Sequence, residues 1–182
     1  MGRNKALMQL AGKTLIARVL DRLARLCDEL IISADIAEAY VGLPARVVPD
    51  LVPGRGVLSG VHAGLRAMRN ENAIVTACDM PFLNLALLRY MAALAADHDV
   101  VVPRLGGNYE PLHAVYGVHC IAPLERVMAA GPGRVVAFFD HVRVREVRED
   151  EVRLFNAQLS FFNVNTPDDW ARAQQLSELE FG

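Results

Sequence analysis

The chain has 182 residues, 53% of them hydrophobic, and a formal net charge of −2. This length suffices for one domain with a sizeable core, and we predict a single domain over residues 1–182. The small net charge does not indicate the excess of positive charge that nucleic-acid binding needs, and no apolar run is long enough to span a membrane. No secretory leader pattern is visible, so we expect a cytoplasmic protein with small-molecule or protein partners.

The first half of the chain alternates between helical and strand-like patterns, which favours an α/β layer architecture. Thr14 precedes an apolar stripe of helical spacing. A later helix carries Gly60 and Gly64 four residues apart, so we expect another element to pack closely against its backbone. The predicted elements of this half are a helix at 14–26, strands at 30–33 and 45–49, and a helix at 58–68.

A short apolar run at residues 73–77 leads into Asp79 and predicts a strand that is buried on both faces. Asp79 would then lie at the carboxyl end of this strand, where ligands bind in open α/β sheets. The alternative is that Asp79 caps the following helix, a role for which Asn84 is the rival residue. The run by itself does not decide between a ligand site and a helix cap.

The second half continues the alternation. Strict alternation at residues 142–147 predicts a strand with one wet face near a sheet edge. Thr166, Pro167 and two acids predict the start of the last helix, whose inward face would hold Trp170, Ala173, Leu176 and Leu179. The other predicted elements are helices at 85–96 and 121–130 and strands at 99–103, 112–116 and 160–165.

Two features of the first half could bind phosphate. Lys5 precedes an apolar turn, where an ammonium group can meet a phosphate as a point charge. Asp50 is followed by a glycine loop at 54–56 and a helix start, whose free N–H groups can hold an anion. Taken alone, a solvated surface lysine and an ordinary mobile loop are the more common explanations.

The other candidates are Asp79, Glu110, His113, Asn163 and Asn165. One strand-end aspartate together with substrate phosphates can hold Mg²⁺, which prefers carboxylate oxygens and retains several waters. Asn163 and Asn165 alternate on a predicted strand, so both amides would face one side and could recognise a heterocycle or a phosphate. The alternatives are amides that satisfy local turns and a core histidine with no catalytic role.

Taken in order, these segments resemble the molybdenum cofactor guanylyltransferases, the MobA family, from the first residue to the final helix. The aspartate segment also occurs in related nucleotidyltransferases, whereas the last two segments of the match point to the molybdenum cofactor branch. The matching segments are K-A-L at 5–7, G-K-T-L at 12–15, G-V-L-S-G at 56–60 after Asp50, C-D-M-P-F at 78–82, E-P-L-H-A-V-Y at 110–116 and F-N-V-N-T-P at 162–167.

The resemblance implies a Rossmann-like, three-layer α/β/α fold of the nucleotide-diphospho-sugar transferase type, with a mostly parallel mixed sheet. It implies transfer of GMP from GTP to molybdopterin with release of pyrophosphate, Mg²⁺ as cofactor, and transient contacts with proteins that make or accept the molybdenum cofactor. Lys5 and Asp79 are the implied catalytic residues. The implied contacts are Lys5 with the GTP phosphates, Ser33 and Asp50 with the nucleotide, Asp79 with Mg²⁺ and the nucleotide, and Glu110, His113, Asn163 and Asn165 with the pterin side.

This sequence departs from the family pattern in two places. Val57 replaces a proline that is usual in its loop, and the match starts at Met1-Gly2, within the family's glycine-rich loop, so the family's first strand is missing from the match. We expect the neighbouring strands to have unpaired backbone groups and the 182-residue polypeptide to turn over GTP poorly. A start codon assigned inside a longer frame, a shortened chain and a non-catalytic remnant that binds cofactor or a partner remain open, as does a cytidylyltransferase on the same fold.

Overall fold

The computed structural model describes residues 4–52, 54–131 and 133–181, and the Met1-Gly2 part of the family match lies outside them. The strands, in chain order, are β1 (Gln9–Leu10), β2 (Lys13–Thr14), β3 (Ile31–Ser33), β4 (Arg46–Val48), β5 (Asn72–Thr76), β6 (Val100–Leu105), β7 (Asn108–Tyr109), β8 (His113–Gly117) and β9 (Val144–Arg148). The helices are α1 (Leu15–Leu23), α2 (Val57–Ala67), α3 (Leu85–Leu94), α4 (Ile121–Ala130), α5 (Glu149–Arg153) and α6 (Pro167–Phe181).

The main sheet has five strands, β5, β8, β6, β7 and β9. Strand β8 lies antiparallel between β5 and β6, and β9 pairs in parallel with β6. Strands β5, β6 and β9 therefore run in the same direction, and β7 and β8 run against them. The α/β fold with a mixed sheet is confirmed, but the described pairings of the main sheet are three antiparallel and one parallel, so the expectation of a mostly parallel sheet is wrong for this sheet. The predicted strand at 142–147 does lie at an edge, since β9 pairs only with β6 among the described strands.

Helices cover both faces of this sheet because β6 is apolar on both sides. Val100 and Val102 point to the face on which α2 and α4 pack, while Val101 points to the opposite face, against α3 and α5. All three valines are fully buried. This arrangement gives the three layers that the sequence predicts.

Strands β3 and β4 form a separate parallel pair, and among the described residues no strand lies between β3 and β5. Helix α1 covers this pair, with Ile16 and Leu20 packed on Ile32. One edge of β5 pairs with β8, and its other edge lines an open cleft opposite β3. The prediction for residues 73–77 is confirmed in part: Ala73 and Val75 pack on one face and Ile74 on the other, but the residues stay half-buried because the open strand edge lines the cleft.

The same cleft explains why the expected close packing on the α2 glycines is not seen. A Cβ atom added at Gly64 would meet no atom within 4 Å, and one added at Gly60 would meet only the Ser33 side chain, at 3.6 Å and beyond. Both glycines line the cleft. The backbone of α2 is thus exposed to an open space between the two sheets.

Two further predictions near the carboxyl end are wrong. Residues 160–165 do not form a strand: Gln158–Phe161 is a 3₁₀ turn, and the chain that follows is extended without a ladder partner. Leu179 is 87% exposed, whereas Ala173 and Ser177 on α6 are buried. In the described part of the chain, no helix combines the length and the apolar character that a membrane crossing requires.

Candidate active site

Asp79 lies just beyond the carboxyl end of β5, where the sequence places it. It does not cap α3: Asn84 takes that position, and its side-chain oxygen accepts a hydrogen bond from the Leu87 N–H at 2.9 Å. The alternative interpretation of Asp79 as a helix cap is therefore wrong. Because the half-buried Asp79 carboxylate does not cap a helix, it is available to bind a ligand.

The electrostatic environment of Asp79 is unfavourable for its charge. Burial raises the pKa of the Asp79 carboxyl above its usual range, and its own backbone N–H and the nearby Lys5 ammonium offset only part of that increase. Desolvation disfavours an ionised carboxylate unless positive charge or hydrogen bonds compensate. A cation bound at Asp79 would supply that compensation.

Lys5 reaches the same edge of the molecule from a short 3₁₀ turn, Lys5–Leu7, that precedes β1. Its Nζ donates a hydrogen bond of 2.9 Å to the Oδ1 atom of Asn165. The segment that carries Asn165 also contacts Asp79, since the Val164 N–H donates to the Asp79 carbonyl oxygen at 3.0 Å. The structure therefore brings Lys5, Asp79 and Asn165 together, although they lie far apart in the sequence.

Ser33 and Asp50, each of which the family resemblance assigns to nucleotide binding, lie next to each other in the structure. Ser33 is the last residue of β3, Asp50 follows β4 by two residues, and the Ser33 hydroxyl donates to Asp50 Oδ1 at 2.8 Å. Because β3 and β4 are parallel, their carboxyl ends meet at one edge, which places these two side chains side by side. The hydroxyl fixes the orientation of the Asp50 carboxylate.

An open cleft of about 660 Å³ connects the two groups, and both Ser33 and Asp79 line it. The edges of β3 and β5 form its walls, and apolar side chains of α1, including Leu20 and Leu23, cover it. Its volume lies within the range of small-molecule sites. Ser33 and Asp79 lie at the carboxyl ends of the two strands, Glu29 and Asn72 lie at the opposite end of the cleft, and most of the lining between them is apolar.

His113 does not reach this polar edge. Its ring is fully buried, its Nε2 atom lies 2.6 Å from the Ser160 hydroxyl, and Phe161 lies against it with 4.4 Å between ring centroids. Burial lowers the pKa of His113 to about 4, so the ring is neutral at physiological pH. The same hydroxyl also accepts the Asn84 N–H at 2.8 Å, so His113 belongs to a buried network beside α3.

The family resemblance implies that Glu110 and Asn163 lie on the pterin side together with His113 and Asn165. The structure gives each of them separate surroundings. Glu110 is half-buried before β8, and burial raises the pKa of its carboxyl. The Asn163 side chain donates to the Phe161 carbonyl oxygen at 3.3 Å, which is a local contact. Because the segment is not a strand, the period-two argument that Asn163 and Asn165 face one side does not hold.

Asp169 is a residue of this edge that sequence reasoning treated only as a helix-start charge. Its Oδ2 atom accepts the N–H groups of Asn165 and Thr166 at 3.0 and 2.8 Å, while its own N–H donates to Thr166 Oγ1 at 3.1 Å. An acid three residues after a threonine is the spacing of a capping box, and this signal could have identified it.

Comparison with known proteins identifies the family to which this fold belongs. Residues 1–146 match the family described as the MobA-like NTP transferase domain. The chain belongs to the MobA-like NTP transferase family. The family match covers β1 to β8 and most of β9, and so includes most of the mixed sheet.

Relatives of this MobA-like domain cover nearly its whole length. A probable molybdenum cofactor guanylyltransferase of Pelotomaculum thermopropionicum is 41% identical over 179 residues, which are 98% of this chain and 87% of the relative. The molybdenum cofactor guanylyltransferase of Desulfosudis oleivorans is 38% identical over 175 residues, 95% of this chain and 87% of the relative. The likeness therefore extends through the domain and is not confined to one motif.

A solved structure shares the fold of this MobA-like domain. It is the molybdopterin-guanine dinucleotide biosynthesis protein A of Archaeoglobus fulgidus, which matches with a TM-score of 0.84 and 29% identity. The match covers 98% of this chain and 92% of the other. The nucleotide-diphospho-sugar transferase-like architecture is therefore confirmed at the level of a solved relative.

Proposed function

We propose that this chain transfers the GMP group of GTP to the terminal phosphate of molybdopterin and releases pyrophosphate. The observation that carries the proposal is the convergence of Lys5 and Asp79 at one edge, joined through the segment that holds Asn165. One cation and one desolvated carboxylate at a strand end suit the binding of a nucleoside triphosphate with its metal. The choice of molybdopterin as the acceptor is supported by the names of the relatives.

The reaction needs positioning and charge neutralisation rather than a covalent enzyme intermediate. An oxygen of the pterin phosphate attacks the α-phosphorus of GTP, a new P–O bond forms, and the bond to the bridging oxygen of pyrophosphate breaks. Negative charge grows on the leaving pyrophosphate during this displacement. The ammonium of Lys5 would contact these phosphates and stabilise that charge.

Asp79 is the residue that we expect to hold Mg²⁺. Among residues 4–52, 54–131 and 133–181, no cluster of three or more His, Cys, Asp or Glu side chains could hold a metal by itself. A site with one carboxylate fits Mg²⁺ because this ion retains several waters and takes further ligands from substrate phosphates. Bound there, the ion supplies Lewis-acid stabilisation of the phosphate oxygens.

Ser33 and Asp50 suit the nucleoside end of GTP. The Asp50 carboxylate, held by the Ser33 hydroxyl, is an acceptor for the N–H or O–H groups of the base or ribose. Ser33 ends β3 and Asp50 follows the neighbouring parallel strand β4, and Ser33 lies across the cleft from Asp79. The nucleotide would then extend from the β3–β4 edge to the β5 edge, with its phosphates near Lys5.

On the pterin side we propose direct contacts for Glu110, Asn163 and Asn165, which retain exposed surface. A half-buried carboxylate such as Glu110 can accept hydrogen bonds from the N–H groups of a pterin ring. His113 has a different place in this proposal: it is sealed in the core and holds Ser160, so it supports the site without touching the substrate.

The alternatives are a cytidylyltransferase and a non-catalytic protein that binds the cofactor or a partner. A thermal-shift titration of the chain with GTP or CTP in the presence of Mg²⁺ separates the first, because a ligand that binds only the folded state raises the unfolding temperature. We expect a rise with GTP that exceeds the rise with CTP. A larger rise with CTP would contradict the guanylyl assignment.

Turnover is tested with molybdopterin, Mg²⁺ and GTP labelled at the α-phosphate, with pyrophosphate release as a second readout. We expect the 182-residue polypeptide to bind GTP and to transfer GMP slowly, since one edge of β5 and one edge of β3 face an open cleft. Rapid guanylyl transfer would refute the expectation of slow turnover. Absence of both GTP binding and transfer would refute the proposed function.

A further inference from the structure

Two consecutive residues shortly before α6, Val164 and Asn165, make three hydrogen bonds that connect different parts of the candidate site. The Val164 N–H donates to the Asp79 carbonyl oxygen, the Asn165 side chain accepts from Lys5, and the Asn165 N–H donates to Asp169. This segment is the physical link between the catalytic lysine and the catalytic aspartate. What fixes its conformation therefore sets their relative positions.

Asp169 fixes the conformation of the segment that contains Val164 and Asn165. Its carboxylate accepts two backbone N–H groups, those of Asn165 and Thr166, and its own N–H is bound by the Thr166 hydroxyl. Two backbone bonds to one carboxylate oxygen leave the turn little freedom, and hydrogen bonds to a charged acceptor are among the stronger ones in proteins. The backbone of Asn165, whose side-chain oxygen accepts from Lys5, is thereby held in place.

Lys5 depends on that placement of Asn165. An ammonium group on a flexible four-carbon stem points in one direction only where an acceptor holds it. Among the described residues, the hydrogen-bond acceptor found for the Lys5 ammonium is the Asn165 amide oxygen, at 2.9 Å. The positive charge also lies close enough to Asp169 to contribute to the lowered pKa of that carboxyl, after the hydrogen bonds of Thr166 and Asn165.

We propose that Asp169 is a positioning residue for Lys5: its carboxylate fixes the turn at 165–166, which presents the Asn165 amide oxygen to Lys5 and aims the ammonium group at the Asp79 edge. The hydrogen bonds that connect Asp169 to Asn165 and Asn165 to Lys5 do not depend on the proposed function. Their relevance to phosphate binding rests on the proposed function, and the two can be tested separately.

The test uses the reactivity of the Lys5 amine, because the chain contains two lysines, Lys5 and Lys13. Lys13 is ion-paired with Asp21 and serves as an internal reference. Limited acetylation with N-acetoxysuccinimide, followed by peptide mass spectrometry, gives the ratio of the Lys5 rate to the Lys13 rate. An amine that is held as a hydrogen-bonded ammonium reacts more slowly than one that is released.

We expect Asp169→Ala to raise this ratio about fivefold, since the loss of a charge-assisted acceptor frees the turn. Asp168→Ala is the matched control, because Asp168 is an exposed acid on the same helical turn. It should leave the ratio unchanged. Asp169→Asn should restore the ratio toward the native value, because an amide oxygen can accept the same two N–H groups.

A double-mutant cycle shows whether Asp169 acts through Asn165. Asn165→Ala alone should raise the ratio as Asp169→Ala does, and the double variant should show no further rise, since coupled residues are not additive. An unchanged ratio in Asp169→Ala, or an equal rise in Asp168→Ala, would overturn the proposal. If Asp169→Ala unfolds, so that Lys13 is also released, the cycle of Asp169→Asn with Asn165→Ala decides instead.

Adding Mg²⁺ and GTP to the native chain tests phosphate binding at Lys5 separately from the positioning role of Asp169. Protection of Lys5, but not of Lys13, supports phosphate binding at Lys5. If Asp169→Ala raises the ratio and GTP gives no protection, the positioning proposal stands and the proposed function fails. If GTP protects Lys5 and the Asp169 variants have no effect, the positioning proposal alone fails.

Discussion

Two polar groups lie near the carboxyl end of β5, and the sequence offers both as parts of one site. The first, Lys5 with Asp79, is half-buried, charged and open to a cleft. The second, His113 with Ser160, is sealed in the core and neutral; Ser160 also accepts the Asn84 N–H, and the Nδ1 atom of His113 has no hydrogen-bond partner among the described residues. The difference teaches that a polar residue at a strand end becomes a candidate for chemistry only where its surroundings leave its charge exposed or uncompensated.

Mutations in the two groups should therefore have opposite consequences. In the buried group, changes should reduce stability, and any loss of function should follow from unfolding. In the open group, changes should alter ligand binding with little loss of stability, because functional carboxylates are often unfavourable for the folded state. Stability and ligand binding, measured side by side, distinguish the two groups.

The largest effect is expected for His113→Ala. Removal of a fully buried ring leaves a cavity beside Phe161 and deprives Ser160 of a partner, so the free energy of unfolding should fall by about 3 kcal/mol. Urea unfolding of the native and variant chains measures this. The matched change beside the open group is Asn165→Ala, which removes the exposed acceptor of Lys5 and should change the free energy of unfolding by no more than about 0.5 kcal/mol. Equal losses in the two variants would remove the distinction between the groups.

A smaller effect is expected from acid. The pKa of His113 is about 4 in the folded chain and 6.5 for an unperturbed histidine. Between these values the unfolded chain binds more protons, so stability is complete above pH 6.5 and declines as the pH falls toward 4. The contribution of His113 amounts to about 2 kcal/mol lost between pH 7 and pH 5.

The control for this pH dependence is His113→Gln, which removes the titrating ring. Urea unfolding at pH 7 and at pH 5 should show that this variant loses about 2 kcal/mol less than the native chain over the same interval. Parallel losses in both chains would mean that the ring is not held neutral in the core. In that case the contrast between a sealed and an open group would be weaker.

Local signals in the sequence predict much of the fold correctly. Helix α4 occupies residues 121–130 as predicted, and Thr14 caps α1 by accepting the Ala17 N–H. Both features depend on residues that are close in the sequence, so a local pattern can predict them. The strand predicted at 160–165 fails for a tertiary reason. The rings of Phe161 and Phe162 pack on His113 and Phe82, and this packing holds the chain as a 3₁₀ turn and an extended segment instead.

The site itself could be predicted in part. Asp79, Ser33 and Asp50 lie where strand ends place them, and parallel pairing brings the last two together. The contact between Lys5 and Asn165 joins residues that are 160 positions apart, so no local pattern reveals it. The half-burial of β5 was also beyond prediction, because an apolar strand is buried only where neighbouring elements cover it.

The central claim is that Asp79 is the carboxylate that holds the metal and the nucleotide. The direct measurement is a thermal-shift titration of native and Asp79→Asn chains with Mg²⁺ and GTP. Because burial raises the pKa of Asp79, its charge opposes folding at neutral pH, so the variant without ligand should unfold at the native temperature or higher. The rise caused by Mg²⁺ and GTP should then be lost in the variant. A full ligand-induced rise in Asp79→Asn would contradict the account.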